Sequence, residues 1–140
     1  MLGFVGRFEH TLDVKGRLIL PVRFRPEFDK GGNLAHHFEG CLAVWTPDEF
    51  ELQSAEMLAL YRTGDAASRN RARVWSTGAS VVEVDRQGRI PIPASARAFA
   101  GLSSEVLVIG SIDHIEIWNP DRFQERVAPA EEYFVGSDLA

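Results

Sequence analysis

Cysteine is almost missing from this chain of 140 residues: Cys41 stands alone, so no disulfide can close within it. A reducing compartment fits that usage. Lysine is scarce as well, with only Lys15 and Lys30 among 15 basic residues. Arginine's planar fork suits bidentate binding of phosphate or guanine, although a GC-rich genome gives the same bias and is the first explanation. No apolar stretch approaches the roughly 18 residues of a membrane-spanning helix, so none is expected. The start, MLGFVGRFEH, lacks a basic segment followed by an apolar run, so no signal peptide is expected.

Other absences bear on chemistry. There is no spaced pair of cysteines and no His-x-x-x-His. His36 and His37, Cys41 close behind them, and the distant His10 and His114 are read as strand-surface residues, so no metal and no cofactor are expected. Gly3–Gly6 reads GFVG but lacks the lysine and preceding strand of a phosphate-binding loop. Asp13 and Asp85 are not followed by the Thr/Ser-Gly of an aspartic protease, and a basic turn would keep both ionised. Neither catalytic residues nor a small-molecule substrate are expected.

What is present is a phrase written twice. DVKGRLILP runs from Asp13 to Pro21 and DRQGRIPIP from Asp85 to Pro93. Each is preceded by a strand pattern, Phe8–Leu12 and Ser80–Val84, and each has an arginine four residues after its proline, Arg25 and Arg97. A second block follows in the same order: Leu42–Phe50 (LAVWTPDEF) and Ile115–Phe123 (IEIWNPDRF). Two blocks in register indicate tandem half-domains.

Charge follows the repeat. The net charge is −5, yet Asp13–Arg25 carries four basic residues against one acidic, and Asp85–Arg97 three against one. The remainder is strongly acidic. Two basic islands in an acidic body point to a localised anion-binding surface rather than to general nucleic-acid affinity.

Each half reads as strand, tight turn, strand, short helix, hairpin. Gly16 and Gly88 supply the positive φ of the turns. The second strands are RLIL and RIPI, in which Pro91 requires an edge or outward position. Short helices are expected over Pro21–Phe28 and Pro93–Ala100, the latter closed by Gly101. Thr46 and Asn119 are N-caps followed by proline. A helical insert spans about 48–76, broken at Thr63-Gly64-Asp65, with Asp65 capping its second helix. Its Leu52–Tyr61 seam is read as core or subunit interface, and Arg69, Arg71 and Arg73 as salt-bridge partners of Glu or Asp in the same insert or a neighbour. Trp45, Trp75 and Trp118 are expected in the core. The expected division is one domain over 1–140: repeat one about 5–53, insert about 48–76, repeat two about 77–127, and an acidic tail 128–140. In that tail the last residues are expected to be loose, with Tyr133, Phe134 and Val135 available to dock on a neighbour.

Arg17 and Arg89 are candidates for guanine contact in the major groove, and Lys15 and Arg86 for phosphate contact. Asp13 and Asp85 either hold those arginines in a reading rotamer, accept from a cytosine amino group, or simply cap the turn.

The doubled D-x-x-G-R-x-x-x-P, with W-x-P-x-x-F behind each copy, resembles the bacterial MraZ family, within the AbrB-like swapped-hairpin superfamily. The likeness runs from about Gly3 to Arg126. It implies an α+β, mainly β fold: a swapped-hairpin barrel built from two pseudo-repeats, with short helices and a helical insert. It places the family's Asp-x-x-x-Arg pair on Asp13 with Arg17 and on Asp85 with Arg89. It further implies a cytoplasmic, nucleoid-associated transcription factor that forms homo-oligomeric rings. Such a factor binds direct repeats in double-stranded DNA upstream of its own operon, at the head of the division and cell-wall gene cluster. The alternative within the superfamily is an antitoxin or protein-interaction assembly module.

Overall fold

A computed structural model describes residues 3–136. Strand β1 (Arg7–Thr11) leads into the first repeated phrase, and β2 (Arg17–Ile19) leaves it. A 3-10 helix (Val22–Phe28), β3 (Gly32–His36), a 3-10 turn (Phe38–Gly40) and β4 (Leu42–Trp45) complete the first half. Helices α1 (Pro47–Tyr61) and α2 (Ala66–Gly78) form the insert. The second half runs β5 (Ser80–Val82), β6 (Arg89–Pro91), α3 (Ala94–Ala100), β7 (Glu105–Gly110), β8 (Ile115–Trp118) and α4 (Pro120–Arg126). A 3-10 turn (Ala128–Ala130) and α5 (Glu131–Val135) follow. None of the described helices is long and apolar enough to cross a membrane.

Six strands form one antiparallel sheet in the order β1-β7-β8-β4-β3-β5. The order reads the same from both ends: β1 matches β5, β7 matches β3, and β8 matches β4. Each half's first strand pairs with the other half's hairpin, β1 with β7 and β5 with β3. Strands β2 and β6 leave the sheet and pair with each other as a two-stranded ribbon, with one isolated bridge from Leu18 back to Leu12. One face of the sheet, with Leu34, Val44, Val106, Val108, Ile115 and Ile117, meets Leu18, Leu20, Ile90 and Ile92 of the ribbon in the main core. The other face packs on the helices in two clusters, around Trp118 with Phe123 and around Trp45 with Phe50 and Trp75. Strands β4 and β8 are buried on both faces.

Several expectations are met in detail. Thr46 Oγ1 accepts from the Glu49 amide, Asn119 Oδ1 from those of Asp121 and Arg122, and Asp65 Oδ1 from that of Ser68. Gly101 ends α3 in the left-handed region at φ 64°. Pro91 lies in a two-stranded ribbon, where every strand is an edge, and its side chain is exposed.

Others are corrected. The sheet does not close into a barrel: β1 and β5 are its edges, and no ladder joins them among the described residues. The ribbon's apolar side chains fill the space that closure would use. Val22–Phe28 is 3-10 rather than α, because Pro26 inside it lacks an N–H and clashes with an i−4 carbonyl. Pro21 and Pro93 sit one residue ahead of their helices, as caps. The α1 seam is not core: α1 has no buried residue, and Leu52 and Leu58 are exposed. Trp75 is half-buried, stacked on Phe50 at 5.1 Å. Arg69, Arg71 and Arg73 hydrogen-bond to the Gly64 carbonyl, the Ser68 hydroxyl and the Asn70 amide oxygen, and Arg71 also acts on the nearby Asp65 carboxylate through space. Tyr133, Phe134 and Val135 are exposed, and the final residues expected to be loose lie outside the described ones.

Candidate nucleic-acid interface

The two repeated phrases fold into the same turn. In the first, the Gly16 amide donates to the Asp13 carbonyl at 2.9 Å and the Asp13 amide to the Arg17 carbonyl at 3.0 Å. Asp13 Oδ1 accepts from the amides of Lys15 and Arg17, both at 2.9 Å, and Oδ2 accepts from Arg17 Nε at 2.7 Å. In the second, Asp85 Oδ1 accepts from Gln87 and Arg89 amides at 2.9 Å, and Oδ2 from Arg89 Nε at 2.8 Å. Aspartate is required here because one oxygen caps backbone donors while the other holds the guanidinium. Asparagine could do only the first. Capping the turn and holding the arginine rotamer are therefore one arrangement.

Both carboxyls are held below the ordinary aspartate range. The largest cause is the backbone hydrogen bond from the arginine amide, and the arginine side chain adds to it. A depressed folded-state pKa stabilises above the unfolded value and is lost as pH falls through the folded one. Wild type should therefore lose stability in acid more steeply than Asp13→Asn with Asp85→Asn. Urea midpoints followed from neutral pH to below the carboxylate range measure this, and parallel curves would contradict it.

Gly16 and Gly88 adopt φ 75° and 81°, a region costly for any residue with a Cβ. They are also covered. A Cβ on Gly16 would overlap the Arg97 guanidinium, and one on Gly88 would lie 2.5 Å from that of Arg25. Each arginine thus lies across the other half's turn. Arg25 Nε donates to its own half's Leu20 carbonyl at 3.0 Å, and Arg97 donates to the equivalent Ile92 carbonyl, through Nη1. The Leu20 amide reaches the Gly88 carbonyl, and the Ile92 amide that of Gly16, at 2.8 and 3.0 Å. These cross-contacts were not expected; the only sequence signal was that Arg25 and Arg97 recur at the same place in each copy.

The ribbon sets which side chains share a face. Arg17 opposes Pro91, Leu18 opposes Ile90, and Ile19 opposes Arg89. Alternation then puts Arg17, Ile19, Arg89 and Pro91 on one face and Leu18 with Ile90, both fully buried, on the other. Arg17 and Arg89 are diagonal neighbours on the outward face, a relation that spans roughly 7–8 Å in an antiparallel pair. The tips differ. Lys15 and Gln87 occupy equivalent places, as do Val14 and Arg86, so the tip charge shifts by one residue between copies. Lys15 and Arg86 are both exposed.

His10 and His36 are half-buried on strands β1 and β3, but His37 and His114 depart from expectation. His36 stacks on Phe99 with ring centroids 3.9 Å apart. His114 is buried, with Nδ1 2.6 Å from Asp113 Oδ1 and Nε2 2.8 Å from Glu116 Oε2. His37 Nε2 lies 3.5 Å from the same Glu116 oxygen, and Trp118 Nε1 donates to Oε1 at 2.9 Å. Burial disfavours the His114 imidazolium, but the two carboxylate bonds outweigh it and raise the pKa. Burial and the neighbouring His114 lower that of His37. Only the hairpin register brings these groups together.

The family described as "MraZ protein, putative antitoxin-like" matches residues 4–71 and 76–135. Three relatives bear the name Transcriptional regulator MraZ. That of Thermomicrobium roseum is 38% identical over 139 residues, covering 98% of this chain and 97% of its own length. That of a Nocardioides species is 41% identical over 137 residues, covering 98% and 94%. That of Ligilactobacillus salivarius is 36% identical over 131 residues, covering 94% and 91%. With both motif-bearing halves inside the match and identity at this level across nearly the whole length, the chain belongs to the MraZ family.

Proposed function

We propose that the protein is a sequence-specific DNA-binding regulator of transcription, acting in the cytoplasm at the nucleoid. It reads direct repeats upstream of its own operon, at the head of the division and cell-wall gene cluster. The observation that carries this reading is the exposed ribbon face on which Arg17 and Arg89 stand side by side, each gripped through Nε by its own aspartate. That grip removes rotamer freedom before binding and leaves the Nη donors of each fork for guanine O6 and N7. Lys15 and Arg86 at the tips then take phosphates, while Asp13 and Asp85 orient rather than touch the base. The relatives' shared name, a transcriptional regulator, agrees with it.

The proposed organisation is two pseudo-repeats, about 5–53 and 77–127, around the insert at about 48–76, with a tail at 128–140. The exchanged pairing of β1 with β7 and β5 with β3 supports a swapped-hairpin relationship. The proposed assembly is a homo-oligomeric ring. Its support is a groove of about 560 Å³ between the insert and the sheet, lined by Phe38, Met57, Leu60, Val74, Trp75 and Phe99. Phe38 and Val74 are exposed in the single chain. A head-to-tail ring repeats one reading face at fixed spacing, which suits direct repeats, and linked weak contacts add up.

Footprinting of the upstream region tests the proposal. Protection of evenly spaced direct repeats is expected. Uniform reactivity along that region would overturn the reading and favour the protein-interaction alternative. A monomer in sedimentation at cellular concentration would remove the ring.

A further inference from the structure

We infer that His37, His114 and Glu116 form a binding site for a single zinc-class divalent cation. The ligand atoms of these three residues all lie within 4.8 Å of one another. His114 Nε2 and His37 Nε2 approach the same carboxylate oxygen, at 2.8 and 3.5 Å. Zinc holds nitrogen and oxygen donors at about 2.0–2.2 Å, which places tetrahedral donors roughly 3.3 Å from one another. The cluster brackets that spacing, so small side-chain rotations suffice.

The second atom of two ligands is already occupied. His114 Nδ1 is bonded to Asp113, and Glu116 Oε1 takes the Trp118 indole N–H. What converges is then Nε2 and Oε2. A carboxylate behind the histidine, fixing ring orientation and raising basicity, is the outer shell that metal-binding histidines use. Trp45 walls the site, its ring stacked on His114 at 4.3 Å. Ala43 opposes Glu116 across β4 and β8. Cys41 borders the group without joining it: its Sγ donates to the Phe38 carbonyl, and its thiol also neighbours Glu116. Two imidazoles and one carboxylate select zinc and its first-row neighbours over magnesium or calcium. Three protein donors leave a fourth position for water.

The site joins the two halves, with His37 from the β3–β4 connection and the others from the β7–β8 hairpin. It lies away from the DNA-reading turns. Asp13 follows β1 beside the start of β7, whereas His114 follows the end of β7. Asp85 and His37 lie beyond opposite ends of β3 in the same way. A bound cation therefore cross-links the halves without occupying the ribbon face.

Zinc titrated calorimetrically into tag-free, chelator-treated full-length protein tests this. One saturable site per chain is expected, and about a hundredfold excess over Kd should raise the melting temperature by roughly 5–10 °C. His37→Ala and Glu116→Gln should each weaken binding by roughly a hundredfold, and Asp113→Asn by about tenfold. His36→Ala, and Arg17→Ala with Arg89→Ala, should leave it intact. Because His37 is only half-buried, its variant keeps the test alive if Glu116→Gln does not fold. Absence of saturable binding to wild type, or unchanged binding by His37→Ala, overturns the site.

Discussion

Replacing Arg17 and Arg89 together by alanine is expected to abolish discrimination between the upstream duplex and a scrambled one, while the fold persists. Both residues stand on the outward face of the ribbon, and neither contributes to the core. Partly exposed strand-surface changes of this kind cost about 0.5 kcal/mol or less. A bidentate arginine–guanine contact is worth ~1–3 kcal/mol of discrimination, or roughly 5–150-fold per contact. Linked protomers multiply that loss. The single variants assign each copy, and the unequal tips predict unequal effects. Lys15→Ala and Arg86→Ala should instead weaken binding to every duplex alike and flatten its salt dependence. Fluorescence anisotropy on both duplexes measures the double variant and the four single ones. Discrimination that survives the double replacement would move the reading head elsewhere.

Leu18→Ala should be among the most destabilising single changes, and Ile19→Ala, one residue on, among the mildest. Leu18 is fully buried between ribbon and sheet, whereas Ile19 is 44% exposed on the face that carries the arginines. Emptying a core leucine site costs about 2–5 kcal/mol, partly transfer and partly the cavity left behind. Against a typical stability of about 5–15 kcal/mol that loss is large. It should lower the melting temperature by roughly 5–20 °C, with the Ile19 variant within a few degrees of wild type. Ile90→Ala should follow Leu18→Ala, because the two oppose each other. Equal shifts for the Leu18 and Ile19 variants would mean that the ribbon is rotated and that its arginines do not face outward.

The fold was legible in the sequence wherever the signal was local. The turn glycines, the Thr46, Asp65 and Asn119 caps, the outward Pro91 and the two-helix insert each follow from a few neighbouring residues. The repeat carried one long-range fact, that whatever Asp13 and Arg17 do, Asp85 and Arg89 do too. Strand exchange between the halves was not legible from pattern, because β1 is compatible with either half's hairpin and both pairings leave β4 and β8 at the centre of the sheet. The open sheet was missed for a related reason: alternation marks a strand's inward face but not whether the first and last strands meet. Arg25 and Arg97 look like solvated helix residues until the ribbon lays each across the opposite glycine. The histidines misled most. His37 and His114 lie in different halves, and only the meeting of two hairpin connections puts them on one carboxylate.

The most direct test of the proposal that the ribbon reads DNA is the affinity of the purified protein for a duplex from just upstream of its own start codon. A scrambled duplex of equal length serves as control, and both are titrated across a range of salt concentrations. The account predicts tight binding to the native duplex alone, falling steeply and linearly in log–log form as several phosphate contacts release counterions. Weak binding, equal for the two duplexes, would contradict it and leave the paired aspartate–arginine turns as structural staples.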